Sequence, residues 1–225
     1  MKRQQRPRGA TTRATIIDSA LALVDQVGVE ALSIRTLAKS VGAPPMSLYT
    51  HFRNKAQLLD MMYAEVAQRL YAAPGKLTWQ AELSALCYQL RERLLEHPHW
   101  VPLLSRPVAT TPPVRERLLA MMIADGLSPD RALQAVSSAA LTAIGLTLLE
   151  LTHRNGDGSS SYEQRFERLK QGDAHEGPAT QAAFQEMQSF DLGQNFAVAI
   201  SHLIMGLEAG STAKPDAASI AARSC

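Results

Sequence analysis

The stretch "LSIRTLAKSVGAPPMSLYTHFRNK", residues Leu32–Lys55, sets two short apolar rhythms around a glycine and a pair of prolines. Ile34, Leu37, Ala38 and Val41 recur at the spacing of one helix face, which predicts a helix over Ser33–Val41 with Ser33 as its cap. Gly42 supplies the left-handed turn that residues with a Cβ resist. Pro44 and Pro45 cannot continue a helix, but Pro45 suits the first position of a new one. A helix of barely two turns, Pro45–His51, follows, with Leu48 and Phe52 as its buried pair. Two helices that cross this closely need a small residue at the contact. Ala38 is that residue, and Gly42 follows it four positions later. The pattern is a helix-turn-helix.

The outward residues of the second helix are Pro45, Met46, Ser47, Tyr49 and His51. A rod this short suffices to reach across one major groove, where these side chains meet base edges and phosphates. Arg35, on the open side of the first helix, can engage a guanine bidentately. Lys55 can neutralise a phosphate, with Asn54 capping the helix beside it. An ordinary helical hairpin with solvated charges remains the plain alternative; the joint occurrence of turn, small contact residue and exposed polar set argues against it.

Charge divides in the same way. Overall the chain is only +2, yet residues 1–60 hold nine Lys/Arg against four acids, and the remainder nets −3. The first quarter is built to meet a polyanion. Its leading residues, "MKRQQRPRGATTR", form a basic arm, expected to be disordered over residues 1–11, that can lie along the minor groove or backbone.

Working outward, Thr12–Gly28 reads as a helix with Thr11 or Thr12 as cap, Gly28 as terminator, and Ile16, Ala20, Leu23, Val24 and Val27 inward. Asn54 caps a further helix to about Ala72, carried by Leu59, Met62, Val66 and Leu70. Helices follow at Trp79–Glu96, at Pro113–Asp125 and from Pro129 to Leu151 or His153. The proline-rich stretch "HPHWVPLLSRPVATTPP" holds one short helix. Residues 154–178 read as loop with at most a short charged helix, and Leu192–Ala209 as a last strong helix before a fraying tail. No segment alternates as a strand does, so the expected fold is all-α. The expected organisation is a helix-turn-helix domain over 12–56, a connecting helix over 57–74, a larger helical domain over 75–210 and a disordered tail over 211–225.

With 46% hydrophobic residues the chain can bury a sizeable core. The best membrane candidate, Ala139–Leu151, is too short and carries Thr142, Thr147 and Glu150, so no membrane partner is expected. Two cysteines, Cys87 and Cys225, make no disulfide framework, and a reduced, cytoplasmic chain follows. His97-Pro98-His99 offers two imidazoles flanking a proline, a poor metal site, and reads as a loop pair. No nucleophile stands with a credible base and no phosphate loop is present, so neither an enzyme, a cofactor nor a metal is expected. The rival reading is an all-α enzyme or small-molecule carrier with an incidental helix-turn-helix.

The segment "ALSIRTLAKSVGAPPMSLYTHFRNKAQLLD", preceded by "ATIIDSALALVDQVGVE", resembles the tetracycline repressor (TetR) family of transcriptional regulators. The resemblance implies that Tyr49 and Lys55 clamp phosphates, and that Ser33, Arg35, Pro45, Met46, Ser47 and His51 lie at the operator surface. Pro45 and Met46, being apolar, are suited to thymine methyl groups. It also implies a larger C-terminal helical domain that dimerises, binds a small-molecule effector of unknown identity and lowers affinity for a palindromic operator, the connecting helix transmitting the shift. "DLGQNFAVAISHLIMGLEA" looks like the last helix of that branch. Tetracycline repressors proper use a histidine near the end of the fourth helix for a magnesium–drug chelate; ungapped counting puts Tyr71 there, which places tetracycline itself in doubt. Small residues through Pro129–Leu151, including Ala132, Ala135, Ala139, Ala143 and Gly145, permit the close approach of a four-helix interface across a two-fold axis. Trp79, Cys87, Tyr88, Trp100, Met121, Met122, Leu141 and Ile144 are the candidates for the effector pocket, although such a set is more often core.

Overall fold

The computed structural model describes residues 12–70, 78–104, 113–154, 161–171, 177–186 and 191–211. The basic arm, Tyr71, Cys225 and most of the tail lie outside them. Every regular element among the described residues is a helix. In chain order these are α1 (Arg13–Ala31), α2 (Ile34–Val41), α3 (Pro45–Leu48), α4 (Lys55–Leu70), α5 (Trp79–Glu96), α6 (Val101–Leu104), α7 (Pro113–Ala124), α8 (Pro129–His153), α9 (Ser161–Lys170), α10 (Pro178–Glu186) and α11 (Leu192–Ser211). The chain forms two compact units. One takes residues 1–72 with 96–114, the other 73–95 with 115–225.

In the first unit Thr12 caps α1, its side chain accepting from the Thr15 amide at 3.2 Å. Gly28 (φ 80°, ψ 165°) breaks the helix where the sequence places a terminator. The chain then resumes helical turns to Ala31 and buries Val29 instead of Val27, which is 52% exposed. The inward face also differs: Ile17 and Leu21 are buried with Ile16, Ala20 and Val24, while Leu23 is half-buried. α1 packs on α2 and α4, so its apolar stripe is wider than one periodic row.

The α2–α3 turn follows from Gly42, at φ 69° and ψ 29°. The Ala43 amide donates to the Ala38 carbonyl (3.0 Å) and the Gly42 amide to that of Lys39 (3.3 Å), the paired bonds of a Schellman motif. Ala38 and Leu37 are buried; Ile34 and Val41 are only half-buried. α3 is shorter than the expected Pro45–His51. It is one α turn, after which Thr50 and His51 donate three residues back, to Ser47 (3.4 Å) and Leu48 (2.9 Å). Tightening the chain here brings Phe52 under the turn beside Leu48, and both are buried.

The segment after α5 belongs to this unit too. A 3₁₀ turn over Pro98–Trp100 leads into α6 and packs on α1. The His97 imidazole lies 3.0 Å from the Asp25 carboxylate and stacks on Trp100, with ring centroids 4.0 Å apart and planes 6° apart. A carboxylate does therefore meet this histidine, but from α1, far away in sequence.

The second unit is organised around α5. Leu83, Leu86, Cys87, Leu90 and Leu94 are all buried, as their spacing predicts. Its polar residues tie it to three other helices. Glu82, buried, pairs with Arg117 of α7, and the Trp79 indole donates to Asp125 at 2.7 Å. Arg91 makes a two-point bond to Glu150 of α8 (2.9 and 3.0 Å) and lies over the Phe196 ring of α11 at 5.4 Å. Ala132, Ala135, Ala139 and Ala143 form the buried face of α8 and let neighbouring backbones approach, with the Cys87 thiol 3.7 Å from the Ala139 carbonyl. At 25 residues and a mean hydropathy of 1.7 over its most apolar stretch, α8 is long and apolar enough to cross a membrane, unlike the shorter Ala139–Leu151 span expected. The ionised bond to Arg91 and the alanine face mark it as a packing helix. α9 is the short charged helix expected within 154–178, anchored by buried Phe166; α10, which packs on it, has no counterpart in the sequence reading.

These cores set clear expectations for substitution. Leu48→Ala should destabilise the first unit by about 2–5 kcal/mol, because a fully buried leucine leaves a cavity. Gly42→Ala should cost about 1–2 kcal/mol through its positive φ. Urea unfolding followed by circular dichroism measures both, and a wild-type midpoint for Leu48→Ala would refute its anchoring role. Burial pushes the Cys87 thiol up to about 12, so it stays protonated and inert. Its stabilising burial is present below the ordinary thiol range near ~8.5 and fades as pH climbs from there towards about 12. In a Cys225→Ser chain a disulfide reagent at pH 8 should therefore find no reactive thiol until the protein is unfolded.

Candidate nucleic-acid interface

The side chains singled out around α2 and α3 are held by local geometry. Ser33 caps α2, its hydroxyl accepting from the Thr36 amide (3.1 Å) while Thr36 Oγ1 accepts from the Ser33 amide (3.1 Å). This reciprocal box pins the first turn, where Arg35 projects into solvent. The orphan amides of a helix start need such partners. Threonine rather than glutamate closes the box, so no charge competes with Arg35.

Pro45 opens α3, its fixed φ already helical and its missing N–H no loss at that position. Pro45, Met46 and Tyr49 are left open to solvent while Leu48 and Phe52 are buried. Pro45 is exposed, Met46 is 76% exposed and Tyr49 45%. The Tyr49 ring leans on Phe52 (centroids 6.1 Å apart), which steadies it while its hydroxyl end faces out. Ser47 is half-buried and its hydroxyl donates to the Pro44 carbonyl at 2.7 Å, leaving the oxygen's lone pairs to accept. His51 is half-buried in the turn after α3.

Asn54 caps α4 as expected, accepting from the Gln57 amide at 2.9 Å, and Gln57 Oε1 accepts from the Arg53 amide at 2.6 Å. The first residue of that helix is Lys55. It is half-buried, and its ammonium donates to the Glu30 carbonyl at 3.4 Å. Two further exposed side chains, Thr50 and Arg53, join this surface. The run "YTHFRNK" held the signal for both, but a helix drawn to His51 hides that residues 49–54 are a turn.

The residues named for an effector are placed as follows. Trp79, Cys87 and Tyr88 lie on α5, Met121 and Met122 on α7, and Leu141 and Ile144 on α8, all in the second unit. Trp79, Cys87 and Met122 are buried, Met121 and Ile144 half-buried, and Tyr88 is exposed with its ring edge-on to Phe196 at 5.3 Å. Leu141 is 69% exposed and faces outward. Trp100 belongs to the first unit, and its indole nitrogen is buried without a hydrogen-bond partner.

Comparison with known proteins matches both parts of the chain. The family described as bacterial regulatory proteins, tetR family, matches residues 16–62, and that described as tetracyclin repressor-like, C-terminal domain, matches residues 72–210. The class D tetracycline repressor protein of Escherichia coli is 30% identical over 206 residues, covering 89% of this chain and 91% of its own. An HTH-type transcriptional regulator of Saccharopolyspora erythraea is 29% identical, over 92% and 91% of the two chains. Among solved structures, Streptomyces coelicolor ActR in complex with actinorhodin superposes with a TM-score of 0.74 at 24% identity, covering 91% of this chain and 100% of ActR. A singly substituted TetR from Acinetobacter baumannii AYE in complex with minocycline gives 0.66 at 22%, over 92% and 97%.

Proposed function

This chain belongs to the TetR family of bacterial regulatory proteins and is a ligand-responsive, DNA-binding transcriptional repressor, and from that premise we propose how its residues divide the work. The outward face of α3 reads bases and the residues flanking it hold phosphates. The observation that carries this is Met46, left 76% exposed at the head of a helix too short to have been built for packing. Burying a methionine stabilises a fold by about 1.5–3 kcal/mol, so a methionine presented to solvent beside a rigid proline is waiting for an apolar partner. A thymine methyl is one. Arg35 reads a guanine, Tyr49 and Lys55 grip phosphates, and Ser33, Ser47 and His51 complete the surface.

One such helix covers too few base pairs for a specific site, so the working form is a homodimer on a palindromic operator. α8 and α11 share the most extensive helix contact in the second unit and still leave apolar side chains open. Leu133, Leu141, Leu148 and Leu149 on α8, with Val198 and Met205 on α11, remain exposed in the single chain. A two-fold partner would cover them, and Leu141 then serves the interface rather than the effector. The effector is a small molecule held in the second unit among Trp79, Cys87, Tyr88, Met121, Met122 and Ile144. The relatives found with actinorhodin and minocycline support a ligand of that general size. A differential affinity of about 1–3 kcal/mol between the free and DNA-bound states suffices for release. The protein acts in the cytoplasm and carries out no catalytic step.

Gel-shift titration tests the surface. Tyr49→Ala and Lys55→Ala should weaken binding to every sequence, Lys55→Ala also lowering the salt dependence, whereas Arg35→Ala should cost about 1–3 kcal/mol and also relax specificity. Variants that bind as tightly as the wild type would refute the assignment. Selection from a random DNA pool should return a palindrome whose half-sites are about one helical turn apart; a lone half-site would exclude the dimer.

A further inference from the structure

The first unit also contains a hollow that operator binding does not use fully. Between the end of α1, the start of α4 and α6 lies a cavity of about 310 Å³, lined by Val29, Glu30, Lys55, Ala56, Leu59 and Pro102. Small-molecule sites begin at about 300 Å³. Four of its six lining residues are apolar, Val29 and Leu59 buried and Ala56 and Pro102 open to solvent, and Lys55 is its one cation. Lys55 is half-buried along its stem, and its ammonium, at the exposed end, makes one long bond, 3.4 Å, to the neutral carbonyl of Glu30, with no carboxylate among the described residues pairing with it. A cation with so weak a partner favours an anion. A phosphate satisfies the ammonium but gains nothing from Val29, Ala56, Leu59 and Pro102. A hydrocarbon alone would gain from those walls and ignore the charge. The exposed Glu30 side chain at the rim disfavours a second negative charge.

We propose that this cavity binds a compact apolar monocarboxylate, its carboxylate on Lys55 and its hydrocarbon body against Val29, Ala56, Leu59 and Pro102. Such a molecule draws Lys55 away from the operator backbone and gives the reading head an input of its own. The competition rests on the phosphate role given to Lys55 above; the site itself does not.

The test is a titration of the ¹⁵N-labelled full chain, without DNA, with benzoate, its neutral isostere benzamide, and inorganic phosphate. Benzoate should shift the amides of Glu30, Ala56 and Leu59 saturably, about tenfold or more tighter than benzamide, as a charged hydrogen bond requires. Phosphate should also bind at least about tenfold more weakly than benzoate, lacking the apolar body. Lys55→Gln should erase the advantage of benzoate over benzamide. Ala56→Phe, which fills the cavity and leaves Lys55 in place, should abolish the benzoate shifts while operator affinity stays at the wild-type level. Equal affinity for benzoate and benzamide, phosphate binding as well as benzoate, or undiminished benzoate binding by Ala56→Phe would each overturn the proposal. Because this titration contains no operator, its outcome is separate from a gel shift of Lys55→Gln, which judges the phosphate role alone.

Discussion

The reading surface depends on one close crossing, α2 against α3, with Ala38 buried four residues before the turn. A larger side chain at 38 has no room in that core, and any residue but glycine at 42 would strain the turn that aims α3. The bonds from Ala43 to Ala38 and from Gly42 to Lys39 satisfy the carbonyls at the end of α2, so the turn needs no water or outside partner. α3 is too short to be stable by its own hydrogen bonds. Its direction comes from Leu48 and Phe52, two buried side chains that hold one turn of helix by its underside and leave the upper side bare.

The second unit solves a different problem, how to join several apolar helices without allowing them to slide. Around α5 the answer is directional bonding. Glu82 with Arg117, Trp79 with Asp125, and Arg91 with Glu150 each set a register that hydrophobic contact alone would leave loose. Buried ion pairs add little net stability, since desolvation offsets most of the attraction, yet losing one partner leaves a charge stranded at a cost of about 3–5 kcal/mol. Arg91 is the most connected, meeting α8 through Glu150 and α11 through Phe196. A ligand that disturbs α5 would be felt at both helices of the proposed dimer face.

Much of this was legible in the chain because it is local. The Ser33 cap, the Gly42 turn, the Pro45 start and the Asn54 cap involve partners within a few residues, and each appears where its neighbours predict. α5 and α8 were legible through sustained periodicity. The misjudged positions have identifiable causes. α3 ends sooner than its spacing predicts, because Leu48 and Phe52 fit a helical spacing that a tight turn also satisfies. Periodicity puts Val27 inside but cannot show that Gly28 rotates the chain and substitutes Val29. α10 has little apolar contrast to announce it. Among the effector candidates, spacing identified helices but not which face of each would be covered, and Leu141 looks outward.

By itself, then, the sequence determined most of the helices, their caps, the helix-turn-helix and its basic character, since these depend on spacing and on the conformational limits of glycine and proline. Tertiary structure alone decided which charged and polar side chains meet. Asp25 with His97, Glu150 with Arg91 and Glu82 with Arg117 join residues tens of positions apart, and only packing reveals that Lys55 was left in a hollow with a carbonyl for company. The reason is physical: a side chain's partner is set by the path of the whole backbone, whereas its helix is set by its neighbours.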